Sequence, residues 1–321
     1  DASNPERIYC DGIENSLARV KNHTRPTFSL ELDMETGLPA RILLYAGSDG
    51  SILATGGPQL KSGYYPGLST YDQSTEAWDL DLSVLPEGKH TFLVSGLDDD
   101  GFTAEDILIP FWLGPQQDFI WEDALIYMVM TDRFVNGNTS NDDNSSSTAS
   151  TGAGWQGGDL SGVTQMIESG YFTDLGVNAL WLTPFNSAAQ GSEMAGDGIH
   201  EVSGYHGYWP TAPRSVDSRL GSEAELEAMV TSAHENGIRV MMDFVINHVH
   251  EDHPYYSQNP EWFNQGCLCG STDCDWTEHR LDCLFRDYMP DLDWKNRDAS
   301  EQMIADGMWW LERFDLDGAR L

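Results

Sequence analysis

The stretch Ile238-Arg239-Val240-Met241-Met242-Asp243-Phe244-Val245-Ile246-Asn247-His248 decides how the rest of the chain is read. Its apolar residues run without alternation, broken only by Arg239 and Asp243. A strand of that kind is buried on both faces, as strands are in parallel sheets covered by helices. The polar residues near its end, Asp243, Asn247 and His248, would then stand at the C-terminal edge of the sheet, where α/β barrels bind ligands and do chemistry.

Two comparable runs lie upstream, over 124–130 and 177–182, and residues 316–321 open another strand downstream. Helical patterns separate them. Ser222 and Glu225 make a capping box, Leu226, Met229, Val230 and Ala233 follow at helical spacing, and Gly237 is a stop. A last helix is predicted over 300–314 with Ile304, Met308 and Leu311 on its apolar stripe. This alternation predicts a parallel α/β architecture, with a (β/α)8 TIM barrel as the leading form. Four strands, β1 to β4 of such a barrel, fit into 119–321, so the first half of a barrel is expected there. Residues 249–298 form a long insertion after the third strand, too long to be passive in a compact domain. Residues 139–154, rich in Ser, Thr, Asn and Gly, read as a mobile loop.

Residues 1–118 have a different texture. Phe28, Leu30, Leu32 and Met34 alternate with polar residues, and Trp78, Leu80, Leu82 and Val84 repeat the pattern. Glu35-Thr36-Gly37, Pro86-Glu87-Gly88 and Asp98-Asp99-Asp100-Gly101 punctuate these runs as turns, which predicts an all-β sandwich domain over 1–118.

The 321 residues carry 52 acidic against 17 basic side chains, a formal charge of −35. Such a field repels phosphate backbones and anionic lipid, which excludes nucleic acid and membrane surfaces as partners. No apolar run reaches the roughly 18 residues that a membrane span needs. With only four lysines, the acidity reads either as a solvated surface or as adaptation to salt. Of the five cysteines, Cys10 stands alone while Cys267, Cys269, Cys274 and Cys283 crowd together. A zinc site and a pair of disulfides both fit; zinc ligands come in close pairs on each side, and this spacing has only one such pair, which favours disulfides. Disulfides imply an oxidising compartment, hence a secreted or periplasmic protein. Residues 1–9 have no signal-like character, so a signal is expected to have been removed or the chain to start within a longer protein.

One short motif competes for the function. His248-Val249-His250-Glu251-Asp252-His253 has the His-x-His-x-Asp-His form of a dinuclear zinc hydrolase, in which His248, His250, Asp252 and His253 would close on two metals that activate a water.

The other motifs, in order, are Asp132-Arg133-Phe134 with Asn136-Gly137-Asn138, then Gly157-Gly158-Asp159-Leu160-Ser161-Gly162, Tyr205-His206-Gly207-Tyr208-Trp209, the 243–248 segment and Asp317-Gly318-Ala319-Arg320-Leu321. Together they resemble the α-amylase superfamily of glycoside hydrolases over about residues 120–321, with the loop after the first strand looking most like that of cyclodextrin glycosyltransferases. The resemblance implies an α-glucan-active enzyme that cleaves α-1,4-glucosidic bonds with retention. It makes Arg320 the arginine that orients the nucleophilic aspartate, and puts that aspartate directly after Leu321, where the chain ends; the chain is therefore expected to be inactive alone. His206 and His248 correspond to histidines that hydrogen-bond the sugar, Tyr208 to the ring on which it stacks, and Asp243 to a carboxylate lining the same subsite. Calcium is the implied cofactor, held by Asn136, Asn138, Asn141, Asp142, Asp159 and the Gly157 carbonyl, with a second site started by Asn247 and Asp291; amide and carboxylate oxygens are what this cation prefers. The N-terminal sandwich resembles the immunoglobulin-like domains that precede many amylase barrels. The implied partner is an α-glucan oligo- or polysaccharide bound by a monomer. A non-catalytic glucan-binding or scaffold protein on the same barrel is the alternative.

Retaining glycoside hydrolysis needs two carboxylates about 5 Å apart, one attacking the anomeric carbon and one protonating the leaving oxygen. A guanidinium beside the nucleophile favours its ionised form.

Overall fold

The computed structural model describes residues 7–9, 27–45, 58–61, 63–72, 74–75, 77–94, 107–142, 148–268, 274–279, 283–284 and 286–321. Contacts divide the chain into two units, Asp1–Phe119 and Ile120–Leu321.

In the first unit, β1 (Arg7–Tyr9), β2 (Thr27–Leu32), β3 (Pro39–Tyr45), β5 (Ser69–Asp72) and β6 (Ala77–Leu80) form an antiparallel sheet in the order β1-β2-β3-β6-β5. A second sheet runs β4 (Gln59–Leu60), β7 (Gly88–Val94), β8 (Ile107–Leu113). Leu30, Ile42 and Trp78 from the first share one core with Leu60, Phe92, Ile109 and Phe111 from the second. The turn at 33–37 closes because the Asp33 carboxylate accepts the Glu35 and Thr36 amides while Gly37 takes a positive φ of 68°. Both alternating runs end sooner than their spacing predicts: Met34 is exposed in that turn, and 82–84 form a 3-10 turn capped by Asp81 that leaves Val84 exposed. The 98–101 turn lies outside the described residues.

The second unit is built on β9 (Ile126–Val129), β10 (Ala179–Leu182), β13 (Arg239–Asp243) and β14 (Gly318–Arg320), all parallel, in the order β14-β13-β10-β9. Each of these strands pairs with the next of them in the chain, the succession of a (β/α)8 barrel rather than of a doubly wound sheet, whose order reverses. Helices α1 (Leu160–Glu168) and α2 (Tyr171–Asp174), α3 (Glu223–Glu235) and α6 (Arg297–Phe314) make the three crossovers. Between the crossovers lie a hairpin of β11 (Ser192–Met194) with β12 (Glu201–Ser203), and the short helices α4 (Pro254–Gln258) and α5 (Trp276–His279) of the insertion. Ser222 and Glu225 form the complete capping box of α3.

Only the inner strands β10 and β13 are buried on both faces; the edge strand β9 exposes Ile126 and Met128. The last helix begins earlier than its pattern predicts and turns a different side inward. Its buried residues are Ala299, Met303, Asp306, Trp310 and Phe314, while Ile304 is 59% exposed and Met308 46%. The phase is set by Asp306, which an apolar count skips. Its carboxylate is buried because Arg214 (2.8 Å), Tyr255 (2.8 Å) and Gln302 (2.9 Å) all donate to it. The predicted mobile loop is tied down over its second half, where Ser150 N–H donates to the Glu201 carbonyl and Arg133 to that of Gly152. Residues 143–147 lie outside the description.

Strand register positions the site. Residues two apart on a strand share a face, and pairing sets Met128, Trp181, Met241 and Gly318 in one row and Asp243 beside Arg320. Trp181, Asp243 and Arg320 therefore point the same way, while Val129, Leu182 and Met242 on the opposite face join the core under the helices.

Candidate active site

Asp243 ends β13 and is 1% exposed. Its Oδ2 accepts the Tyr208 hydroxyl at 2.7 Å and the Trp181 indole N–H at 3.1 Å, and its Oδ1 accepts Arg320 Nη1 at 3.2 Å. The Arg320 guanidinium also lies over the Trp181 ring, 5.3 Å from its centroid. Tyr208 belongs to a turn after β12 in which Gly207 takes φ 82° and closes onto the Pro184 backbone, leaving no room for a Cβ. The His206 and Tyr208 rings lie 5.7 Å apart, and Trp209 meets His206 edge-on at 4.9 Å.

The histidines take defined tautomers. His206 Nδ1 accepts the Tyr208 amide at 3.0 Å, so its Nε2 carries the proton and is the donor left to a ligand. Burial, then the charges of His248 and Arg133, push its pKa down to about 4. The expectation gave both histidines to the sugar; here His248 Nε2 donates instead to the Tyr208 carbonyl at 2.9 Å, so that this ring fixes the turn carrying Tyr208. Burial likewise holds His248 below its ordinary range, and both rings are neutral at pH 7. Burial and the bond to Asp243 raise the Tyr208 pKa, keeping its hydroxyl protonated. Thus Arg320, Asp243, Tyr208, His206 and His248 come to one place. Trp181 joins them without having been expected there; only strand register, not its position in an apolar run, gives its indole a role.

The loop before α1 gathers another set. The buried Asp132 accepts the Gln156 and Gly157 amides at 2.8 and 3.1 Å and ion-pairs Arg133, whose guanidinium stacks 3.6 Å from the Tyr205 ring centroid. Asn136 Nδ2 donates to Asp142 at 2.8 Å, and Gly157, at φ 87°, passes so close to both that a Cβ would strike them. Asn141 has its amide oxygen and nitrogen buried without a hydrogen-bond partner. Asp159 caps α1 through the Gly162 amide at 2.6 Å and accepts the Gly137 and Asn138 amides at 3.1 and 2.8 Å. A buried amide oxygen without a partner, on Asn141, and the close approach of Asn136 and Asp142 to Gly157 fit a loop that holds a hard cation. At the second predicted site, His248 and Asp291 form an antiparallel bridge and Leu292 N–H donates to the Asn247 carbonyl, so Asn247 and Asp291 lie on adjoining segments.

The zinc-hydrolase motif does not assemble. His248 faces the Tyr208 carbonyl, His250 packs against Trp209 and Tyr288 with Asp252 near its Nδ1, and His253 caps α4 through the Tyr255 amide. His248 Nε2 and the Nδ1 atoms of His250 and His253 serve local backbone, His250 Nε2 is buried without a hydrogen-bond partner, and among the described residues these four form no metal-binding group.

With four parallel strands in barrel succession and this cluster at their C-terminal ends, comparison with known proteins decides the family. The model of the alpha-amylase catalytic domain matches residues 128–321, more than half of the chain. The chain belongs to the alpha-amylase family. It is 41% identical over 137 residues to the periplasmic alpha-amylase of Escherichia coli, covering 40% of this chain and 20% of that protein. It is 30% identical over 173 residues to a cyclomaltodextrin glucanotransferase of Paenibacillus macerans, covering 50% of this chain and 24% of that protein. Among solved structures, the alpha-amylase of Geobacillus thermoleovorans in complex with acarbose matches at TM-score 0.50 and 31% identity, over 64% of this chain and 41% of that one. An Anoxybacillus alpha-amylase matches at TM-score 0.52 and 29% identity, over the same shares. The chain thus spans a fifth to a quarter of the length of these two curated alpha-amylase family proteins.

Proposed function

We propose that this chain forms the sugar-holding side of an α-glucan-active, retaining glycoside hydrolase that cleaves α-1,4-glucosidic bonds in starch or maltodextrins. The observation that carries it is the convergence of Tyr208, Trp181 and Arg320 on Asp243, with His206 and His248 beside them. The Tyr208 ring offers an apolar face to a pyranose, and neutral His206 donates from Nε2 to a sugar hydroxyl. Asp243, whose carboxylate gathers the Tyr208, Trp181 and Arg320 donors, lines the same subsite. Arg320 sits where a positive charge would steady the nucleophilic aspartate that the family resemblance puts after Leu321. The two carboxylates of a retaining reaction are not among these residues.

The second unit is, on this reading, the first half of a (β/α)8 barrel, and the face exposing Ile126 and Met128 is the one that further strands would cover. The first unit is an immunoglobulin-like spacer. Asn136, Asn138, Asn141, Asp142, Asp159 and the Gly157 carbonyl would hold calcium, whose chemistry is to tie the loop before α1 into one rigid piece; Asn247 and Asp291 would contribute to a second ion. Among the described residues no helix is long and apolar enough to cross a membrane. The disulfide between Cys267 and Cys283 and the periplasmic relative support export.

Incubating the protein that carries this chain with maltoheptaose, and following product anomers by NMR, tests the reading. Release of shorter maltodextrins first seen as the α-anomer is expected. Consumption with β-anomer products, or no consumption, overturns the retaining hydrolase, and binding without turnover would favour the glucan-binding scaffold.

A further inference from the structure

Three sulfurs of the insertion meet at one point. Cys267 and Cys283 are disulfide-bonded, the Cys274 sulfur lies 3.0 Å from that of Cys283, and all three lie within 4.8 Å of one another. The backbone builds this meeting on purpose-made contacts. Leu268 and Leu284 form a bridge, with Leu284 N–H donating to the Cys267 carbonyl at 2.8 Å, which fixes Cys267 beside Cys283. The single helical turn Trp276–His279 then folds back, and Cys283 N–H donates to the His279 carbonyl at 3.0 Å, bringing Cys274 in from the other side. Cys274 and Cys283 are 4% and 3% exposed.

We propose that Cys267, Cys274 and Cys283 form a thiolate site for a soft divalent metal, zinc foremost, of which the Cys267–Cys283 disulfide is the oxidised form. A disulfide uses two of the three sulfurs and leaves the Cys274 thiol buried against them. A metal uses all three. Tetrahedral zinc with sulfur ligands at about 2.3 Å holds sulfurs about 3.8 Å apart, inside the spread found here, and leaves a fourth position for water or another side chain. Among the described residues no other set of three His, Cys, Asp or Glu side chains closes on one point in this way. Thiolates select zinc over calcium, so this centre and the oxygen-lined loop before α1 do not compete for the same ion. Oxidation of the loaded site by a small-molecule disulfide would pass two electrons from the Cys267 and Cys283 sulfurs to that disulfide, which leaves as two thiols after taking two protons from water; Cys267 and Cys283 are joined, the metal goes to solution, and Cys274 takes a third proton to become a thiol. A dithiol reductant supplies the two electrons that reverse it. The site uses none of the sugar-pocket residues, so it stands whether or not that pocket binds glucan.

The full chain, reduced anaerobically with a phosphine, which takes up oxygen from water as it delivers two electrons to the disulfide, is titrated with Co2+ and then Zn2+. One Co2+ per chain with a thiolate-to-cobalt charge-transfer band, displaced by Zn2+, is expected. Cys274→Ser keeps both disulfide partners, so its unreduced fold is held. Peptide mapping should still find the Cys267–Cys283 bridge in it, while its reduced form binds cobalt at least tenfold more weakly and with a smaller band. Cys267→Ala should lose the band by the same route. A reduced chain with no thiolate band, or a band unchanged in Cys274→Ser, overturns the proposal.

Discussion

Tyr208 holds the pocket together at the scale of single residues: its hydroxyl reaches Asp243, its amide His206 and its carbonyl His248. Tyr208→Phe keeps the ring and the backbone contacts and removes only the bond to a charged acceptor, worth about 1.5–3 kcal/mol. Maltooligosaccharide affinity should drop roughly tenfold to a hundredfold, read by calorimetry, with the circular dichroism spectrum unchanged. Titration behaviour follows from the buried rings. His206 and His253 both have folded pKa values lowered to about 4, chiefly by burial, against 6.5 for the unfolded group. The unfolded chain therefore binds more protons between those values, and stability rises with pH across that window. Melting temperature should fall as pH is lowered from about 6.5 to about 4, and His253→Asn, which retains a capping acceptor for α4, should reduce the slope. A flat profile would mean that these rings are solvated.

Individual elements show where reading the chain succeeds. Asp243 was legible because it closes a buried apolar run, and a strand end in parallel α/β architecture is a rim position; Arg320, on the largely exposed β14, was legible only through the motif Asp317-Gly318-Ala319-Arg320-Leu321 and the resemblance it carries. Trp181 was not, because its indole finds Asp243 only through the register of β10 against β13, and register is a non-local property. The last helix misled in phase for a related reason. Asp306 looks like a surface residue until Arg214, Tyr255 and Gln302 arrive from elsewhere in the fold or one turn away. Asp306→Ala should cost on the order of 3 kcal/mol in urea unfolding, because a buried ion pair loses one member and a tyrosine hydroxyl its acceptor. At the start of α1, Gly162 lies against the Val135 carbonyl so closely that any side chain must move backbone. Gly162→Ala should destabilise by more than 2 kcal/mol or so, although alanine is the better helix former.

The whole molecule adds charge and ions. A net charge of −35 repels itself, and raising salt from 0.1 M to 1 M shortens the screening length from about 10 to about 3 Å. Melting temperature should rise with sodium chloride; a constant value would show that the acidic surface is already well solvated. If calcium ties the loop before α1, chelation lowers the melting temperature of the parent chain and leaves that of Asn141→Ala unmoved, since that variant lacks the amide otherwise stranded there. The central claim is that Tyr208, His206, His248, Asp243 and Arg320 bound one sugar-sized pocket. Titrating the chain with maltoheptaose, with intrinsic tryptophan fluorescence as the reporter and Tyr208→Ala as the control, tests it most directly. Saturable quenching that disappears in Tyr208→Ala is the predicted result; no quenching, or the same curve in both proteins, would contradict it.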